Sequence, residues 1–254
     1  MITKEQIHEL TKKFKTNETV VLREYVQLLC LDKLYSMKGC EGIYFKGGTA
    51  IHIIFGAQRF SEDLDFTVDM KDEDFEDFIK AFFNVICKEN SGFSFKEREI
   101  ISGRTFLLTV KPDFIDYKVF IKFDFSFREK PLDPSKSTIK SDFPIIFNSY
   151  IHHLSKNEVM AEKVRAIMTR EKGRDLYDIA YLLGAGAVFN SEMIAKKLKY
   201  YELDLKNKEE IYKRLDKFNE KEFIVDMKPF VAIGEREKLG EKFKYVVDFV
   251  KQNL

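Results

Sequence analysis

The sequence predicts an α/β (α+β) protein with a mixed-sheet domain over residues 1–145 and a helical domain over residues 146–254. Two observations predict this class. In the first part, apolar residues change between helix-like spacing and the period-two alternation of strands, whereas beyond about residue 156 only helix-like spacing is found. With 254 residues, 44% of them hydrophobic and 33% charged, the chain can form one large domain or two small ones.

Helices and short strands alternate in the first domain. The predicted elements, in order, are helices over about the first 40 residues, a strand at 42–46, a helix at 49–55, a strand at 63–68, a helix at 72–89, and strands at 93–101, 104–110 and 117–127. The helix at 72–89 has three acidic residues in its first turn, which favours a helix start there. Apolar and polar residues alternate cleanly along the strand at 117–127, so its two faces differ.

The second domain is predicted from helical patterns alone. Residues 128–149 contain three of the five prolines and are typical of an irregular connector. Helices are predicted after this connector at 156–170, 175–183, 191–201, 206–218 and about 235–253. We expect the helical domain to close over a cleft in the first domain.

Composition excludes several classes of function. The chain has 43 basic and 42 acidic residues, a net charge of +1, so the whole molecule is not a polyelectrolyte that binds nucleic acid, and any polyanion must meet a local basic patch. The sequence contains no run of about 18 apolar residues, which argues against a membrane-spanning helix. The first six residues lack the basic-then-apolar order of a secretion signal. Three cysteines without a C-x-x-C motif indicate neither a disulfide framework nor a zinc site, so we expect a reduced, cytoplasmic setting.

Three acidic residues on predicted strands are candidate metal ligands. Asp63 and Asp65 are separated by one residue, so both side chains emerge on the same face of their strand. Two such carboxylates repel each other unless a cation neutralises them, and Mg²⁺ prefers hard oxygen ligands. Asp124, on the polar face of the strand at 117–127, is the third candidate. Taken alone, each acid is as well explained by a solvent-facing strand position.

A glycine pair upstream of the three acids favours a functional role for them over a solvent-facing one. Gly47, Gly48 and Thr49 lie between a predicted strand and a predicted helix, where backbone N–H groups unhindered by side chains can cradle phosphates. A lone Gly-Gly is most often a turn. Here, however, the order is strand, Gly-Gly-Thr, helix and a strand with D-x-D, with fourteen residues between Gly48 and Asp63. Three carboxylates with one or two Mg²⁺ ions are suited to hold a nucleoside triphosphate for in-line attack at phosphorus.

This order resembles the nucleotidyltransferase superfamily of the DNA polymerase β type. More narrowly, residues 46–50 (KGGTA) and 59–66 (RFSEDLDF) resemble the AbiEii family of bacterial and archaeal nucleotidyltransferase toxins, related to the MenT toxins. Residues 162–179 resemble the family's later motifs, in which a lysine and an aspartate support the nucleotide. The resemblance spans residues 45–183 and implies a nucleotidyltransferase-fold sheet, followed by a helical bundle.

The later motif block also forms a local basic patch. Five basic residues and one acidic residue lie between Lys163 and Arg174, and on a continuous helix Lys163 and Arg170 share a face. Both are therefore candidate triphosphate contacts, although a solvated basic helix face is the simpler alternative.

Two aspartates and two residues near the acids have separate predicted roles. Because Gly173 is expected to break the helix, Asp175 is predicted to be an N-cap. Asp178 matches the family pattern and is predicted to orient Lys163 or the nucleotide. Arg59 and Ser61, just before the carboxylates, are predicted phosphate contacts.

The resemblance implies a Mg²⁺-dependent enzyme that transfers a nucleotide from a nucleoside triphosphate (NTP). Asp63 and Asp65 would hold the ion that bridges the triphosphate, and Asp124 would bind a second ion or act as a base. It further implies an RNA acceptor, such as a tRNA 3′ end, and a toxin partnered by a separate antitoxin. Two alternatives remain open from the sequence: transfer to a protein or small-molecule hydroxyl, and a regulatory module that binds nucleotide without turnover.

Overall fold

The structure, a computed structural model, describes residues 1–100, 103–205 and 207–254. Contacts within the chain divide it into two units. The first contains residues 1–54 and 60–154, and the second contains residues 55–59 and 155–254. The first unit carries a mixed sheet with helices and the second is helical, so the predicted fold class is confirmed.

Seven strands among the described residues of the first unit form one sheet. They are β1 (Ile43–Lys46), β2 (Leu64–Val68), β3 (Phe93–Ile100), β4 (Gly103–Val110), β5 (Val119–Ser126), β6 (Pro134–Ser137) and β7 (Ile151–Leu154). Their order across the sheet is β3-β4-β5-β2-β1-β7-β6. The pairs β2–β5 and β1–β7 are parallel, and the other neighbours are antiparallel. The parallel β2–β5 pair brings together two strands that are far apart in the chain.

In the ranges that the structure describes, four helices accompany this sheet, and phenylalanines fill the space between the sheet and helix α4. The helices are α1 (Lys4–Phe14), α2 (Glu18–Ser36), α3 (Gly47–Ile53) and α4 (Asp72–Glu89). Ring contacts join α4 to β5: Phe75 lies 5.0 Å from Phe125, and Phe83 lies 5.1 Å from Phe123, between centroids. Because Phe123 and Phe125 alternate with Asp124 along β5, the face opposite this core carries the acid.

Two strands within or next to the predicted connector correct our prediction for residues 128–149. Strand β6 begins at Pro134, and β7 follows at Ile151. Proline is tolerated in β6 because this strand lies at the edge of the sheet, where one side of the backbone needs no partner.

The described part of the second unit consists mainly of six helices. They are α5 (Lys156–Thr169), α6 (Gly173–Gly184), α7 (Ser191–Lys199), α8 (Lys208–Leu215), α9 (Glu220–Met227) and α10 (Leu239–Asn253). Our prediction missed α9 and extended the last helix over a short 3₁₀ segment, Ile233–Lys238. The predicted ends at Ile101 and Lys206 lie outside the described residues. Within the described ranges, no helix is both long and apolar enough to cross a membrane.

Candidate active site

A row of polar side chains crosses four strands of the first unit. Lys46 on β1 pairs in register with Asp65 on β2, Asp65 pairs with Asp124 on β5, and Asp124 pairs with Thr105 on β4. Residues directly opposite each other on neighbouring strands point to the same face. The two acids are therefore neighbours on the face of the sheet opposite the phenylalanine core.

Asp63 and Lys122 lie one step along the same face. Asp63 directly precedes β2, two residues before Asp65, and Lys122 is two residues before Asp124. The Lys122 Nζ lies 2.6 Å from Asp124 Oδ2 and 3.4 Å from Asp63 Oδ2. The structure thus brings the three predicted acids, Asp63, Asp65 and Asp124, to one place, together with a lysine that the sequence did not single out.

Burial and neighbouring charges shift the pKa values of Asp63 and Lys122. Burial raises the pKa of Asp63, and the nearby Asp124 charge raises it further against the opposing effect of Lys122. Burial alone would lower the pKa of Lys122, but its bond to Asp124 and the charges of Asp63, Asp124 and Asp65 raise it. The Lys122 ammonium therefore lies within the electrostatic influence of all three acids, and Lys46 lies opposite Asp65 on the neighbouring strand.

Asp124 is held from two sides. The Thr105 hydroxyl donates a hydrogen bond of 2.7 Å to Asp124 Oδ1, while Lys122 binds the other oxygen. Thr105 is buried, at 6% exposed, so its hydroxyl is fixed by packing. The β4–β5 register that places Thr105 opposite Asp124 cannot be seen in the sequence alone.

The glycine turn lies against the acids. Helix α3 begins at Gly47, which adopts φ = +76°, a left-handed conformation that favours glycine. A β-carbon built on Gly47 would lie 2.1 Å from Asp65 Oδ2, so the carboxylate occupies the space that any side chain would need. Gly48 and Thr49 follow in the first turn of α3 and are buried. Their predicted phosphate contacts stay predictions.

Two side chains fix the loop that enters β2. The Thr49 hydroxyl donates to the Asp63 carbonyl oxygen. Gln27, buried on α2, donates to the carbonyl oxygens of Ser61 and Glu62 at 3.2 and 2.9 Å. Ser61 itself is half-buried, and its predicted phosphate contact is not tested by this geometry. These hydrogen bonds explain how Asp63, immediately before β2, keeps a defined position.

Most of the other predicted residues form an ion-pair cluster in the second unit, in which all members except the exposed Arg170 are largely buried. Arg59, which belongs to this unit, donates from Nε and Nη2 to the two oxygens of Asp178 at 2.6 and 2.5 Å. Lys163 Nζ lies 2.8 Å from Asp175 Oδ1 and 2.9 Å from Asp178 Oδ2. Arg170 Nε lies 2.6 Å from Asp175 Oδ2. Three cations thus share two carboxylates.

The predicted capping role of Asp175 is wrong. Helix α6 begins at Gly173 after Lys172, and the Gly173 N–H donates to Asp226 Oδ2 of α9 at 2.9 Å. Asp226 therefore satisfies the first N–H group of the helix, and Asp175 is available to Lys163 and Arg170. Burial would raise the pKa of Asp175, but these two cations lower it well below its usual range.

The donor chemistry of the acidic face suits a hard cation. Among the residues that the structure describes, no three His, Cys, Asp or Glu side chains are arranged to hold a metal ion as they stand. Asp63 and Asp124 nevertheless already share one positive charge, that of Lys122, and present carboxylate oxygens of the type that Mg²⁺ prefers. Asp63 and Asp124 therefore fit Mg²⁺ by ligand type and charge, and Lys122 is their counter-ion in this structure.

Comparison with known proteins assigns the chain to a family. Residues 32–244 match the family described as "Nucleotidyl transferase AbiEii toxin, Type IV TA system". The chain belongs to the AbiEii family. The resemblance carried by the two motif blocks is thereby confirmed, and this AbiEii protein is a nucleotidyltransferase of the toxin type found in type IV toxin–antitoxin systems. No curated protein matches the chain significantly.

Solved structures share the AbiEii protein's fold. MenT4, a nucleotidyltransferase toxin from Mycobacterium tuberculosis H37Rv, is 17% identical with a TM-score of 0.65, and the match covers 98% of this chain and 90% of that one. JHP933 from Helicobacter pylori is 18% identical with a TM-score of 0.56, and 93% of each chain is covered. At these identities the likeness shows a shared fold.

Proposed function

We propose that this AbiEii protein transfers a nucleotide from an NTP to an RNA acceptor with Mg²⁺, using the acids Asp63, Asp65 and Asp124. The observation that carries the proposal is the in-register pair of Asp65 and Asp124 beside the Gly47 turn, with Asp63 sharing Lys122 with Asp124. Carboxylates grouped next to a side-chain-free turn are what a triphosphate with its divalent ion requires.

Each acid has a role in this proposal. Asp63 and Asp65 hold the divalent ion, which when bound neutralises the charge of the triphosphate. Asp124 binds a second ion or accepts the proton of the acceptor hydroxyl. Thr105 supports either role because its hydrogen bond fixes the direction of the Asp124 carboxylate. The chain's contribution is therefore positioning and charge neutralisation, without a covalent intermediate.

The nucleotide is also supported, in this proposal, by three residues of the second unit: Lys163, Arg170 and Asp178. Asp178 lies 2.9 Å from Lys163 Nζ, which favours the orienting role expected for this aspartate. Arg59 donates to both oxygens of Asp178 and is itself 2% exposed, which favours a positioning role for Arg59 in addition to its predicted phosphate contact.

The acceptor and partners are proposed from the family. We propose RNA, such as a tRNA 3′ end, as the acceptor, and a separately encoded antitoxin as the partner, because the family is that of a type IV toxin–antitoxin system. The three cysteines are free thiols, which supports the cytoplasmic setting expected from the sequence.

Labelled nucleotides test the acceptor directly. The protein is incubated with each of four α-³²P-labelled NTPs, total RNA and a protein extract, with Mg²⁺ or with EDTA. We expect Mg²⁺-dependent label on an RNA band. Label on a protein or on a small molecule would assign another acceptor to the same enzyme. Nucleotide binding without any transfer would indicate a regulatory module instead.

A further inference from the structure

Lys122 occupies an unusual position for a lysine. It lies in the middle of β5 on the face that carries the acids, and its ammonium contacts Asp124 at 2.6 Å and Asp63 at 3.4 Å. The charge of Asp65 also acts on it. Its positive charge offsets the repulsion between the Asp63 and Asp124 carboxylates. Lys122 thus supplies the positive charge at the point where the proposed function requires a divalent ion.

The Lys122 ammonium lies between Asp63 and Asp124, where its charge repels a divalent ion, so the two cations compete for these carboxylates. Lys122 donates to Asp124 Oδ2, whereas Thr105 holds Oδ1, so loss of the lysine contact would leave Asp124 still oriented. The Lys122 side chain is 41% exposed and its stem is long and flexible. The lysine can therefore leave the carboxylates without disturbing the core.

We infer that Lys122 is the resident counter-ion of the acidic site and competes with the divalent ion for Asp63 and Asp124. This inference rests on the proposed function. The ammonium stabilises the clustered carboxylates while no ion is bound, and a divalent ion must displace it. A triphosphate favours that displacement because its phosphate oxygens offer the freed ammonium a new partner. Metal ion and nucleotide therefore bind cooperatively, and the metal ion alone binds weakly.

Binding of Mn²⁺ measures this competition without any catalysis. Free Mn²⁺ is titrated by electron paramagnetic resonance against the full chain, with and without a non-hydrolysable NTP analogue. Lys122→Met removes the charge and keeps most of the stem, and Lys122→Arg keeps the charge. Lys118→Met is the matched control, because Lys118 is an exposed lysine just before β5. Thermal unfolding of each variant confirms that it is folded.

The inference predicts a specific pattern. Lys122→Met should bind Mn²⁺ alone about two- to fivefold more tightly than the wild type, which is the range for losing partly exposed ion pairs. The gain in Mn²⁺ affinity on adding the nucleotide analogue should shrink in this variant. Lys122→Arg and Lys118→Met should behave like the wild type. Unchanged or weaker Mn²⁺ binding by folded Lys122→Met overturns the inference.

A second variant separates this result from the proposed function. Asp63→Asn should lose both Mn²⁺ binding and nucleotide transfer. If Asp63→Asn loses transfer while Lys122→Met binds Mn²⁺ like the wild type, only the counter-ion role is wrong. If Asp63→Asn transfers nucleotide as well as the wild type, the proposed metal site is wrong and the competition falls with it.

Discussion

The Asp65 carboxylate packs against the bare α-carbon of Gly47, and a β-carbon there would lie 2.1 Å from Asp65 Oδ2. The glycine turn and the acidic strand β2 therefore depend on each other for their packing. Gly47 is needed for two separate reasons, its left-handed φ of +76° and the space that Asp65 fills. These two reasons can be separated by experiment.

Gly47→Ala should abolish most nucleotide transfer and lower stability. The left-handed backbone costs a non-glycine residue about 1–2 kcal/mol, and the added methyl must also displace Asp65. Gly186→Ala is the matched control, since Gly186 has φ = +83° with nothing within 4 Å of its added β-carbon. It should lose similar stability through strain and keep its activity. Equal activity of the two variants would show that the Asp65 contact is unimportant.

Thr105→Val should slow transfer by about tenfold, the order expected for losing a hydrogen bond to a charged group. The change keeps the shape of the side chain and removes the donor to Asp124 Oδ1. Thr109→Val, on the same strand and face but opposite Phe120, should have little effect. The measurement is kcat at saturating NTP, and a kcat of Thr105→Val equal to that of the control would contradict the positioning role.

Arg59→Met should destabilise the protein by about 3–5 kcal/mol, because it leaves the fully buried Asp178 carboxylate without its bidentate arginine partner. Urea unfolding measures the loss. The double variant Arg59→Met with Asp178→Leu should recover part of it, since the buried Asp178 carboxylate is removed and Lys163 keeps Asp175 as its partner. A single-variant loss below about 1 kcal/mol would mean that Lys163 alone suffices for Asp178.

Asp175 should make stability depend on pH in the acid range. Its folded pKa is lowered by Lys163 and Arg170, although burial opposes this. A lowered folded pKa contributes stability that is present above the unfolded value, about 3.9, and is lost as the pH falls through the folded value. Asp175→Asn should therefore be less stable than the wild type at pH 7, by about 3 kcal/mol.

The difference between Asp175→Asn and the wild type should narrow below about pH 4. Exposed Asp248→Asn is the control and should follow the wild-type curve. A constant difference between Asp175→Asn and wild type from pH 7 to pH 2, measured by urea unfolding, would disprove the ion-pair account.

Local patterns in the sequence were enough for much of the fold. Helix α4 has the predicted bounds of 72–89 because a long amphipathic period and an acidic first turn agree. Strand β5 was predicted by clean alternation. By contrast, β6 and β7 were missed because β6 begins at a proline in a proline-rich segment, and β7 pairs with β1 from much earlier in the chain.

The candidate site was partly predictable for the same reason. The spacing of Asp63 and Asp65 places them on one face, and Asp124 stands out on a polar strand face. Lys122 and Thr105 carry no such signal, because their roles arise from the β2–β5 and β4–β5 registers. Asp175 was misassigned as a cap because Asp226, about fifty residues further along the chain, supplies the cap instead.

Transfer of labelled nucleotide by Asp65→Asn tests the central claim most directly. Asp69→Asn is the matched control, because Asp69 is an exposed aspartate just beyond the other end of β2. With Mg²⁺, labelled NTP and RNA, the wild type and Asp69→Asn should transfer label at equal rates, and folded Asp65→Asn should fall by at least about a hundredfold. Equal transfer by all three proteins would contradict the account.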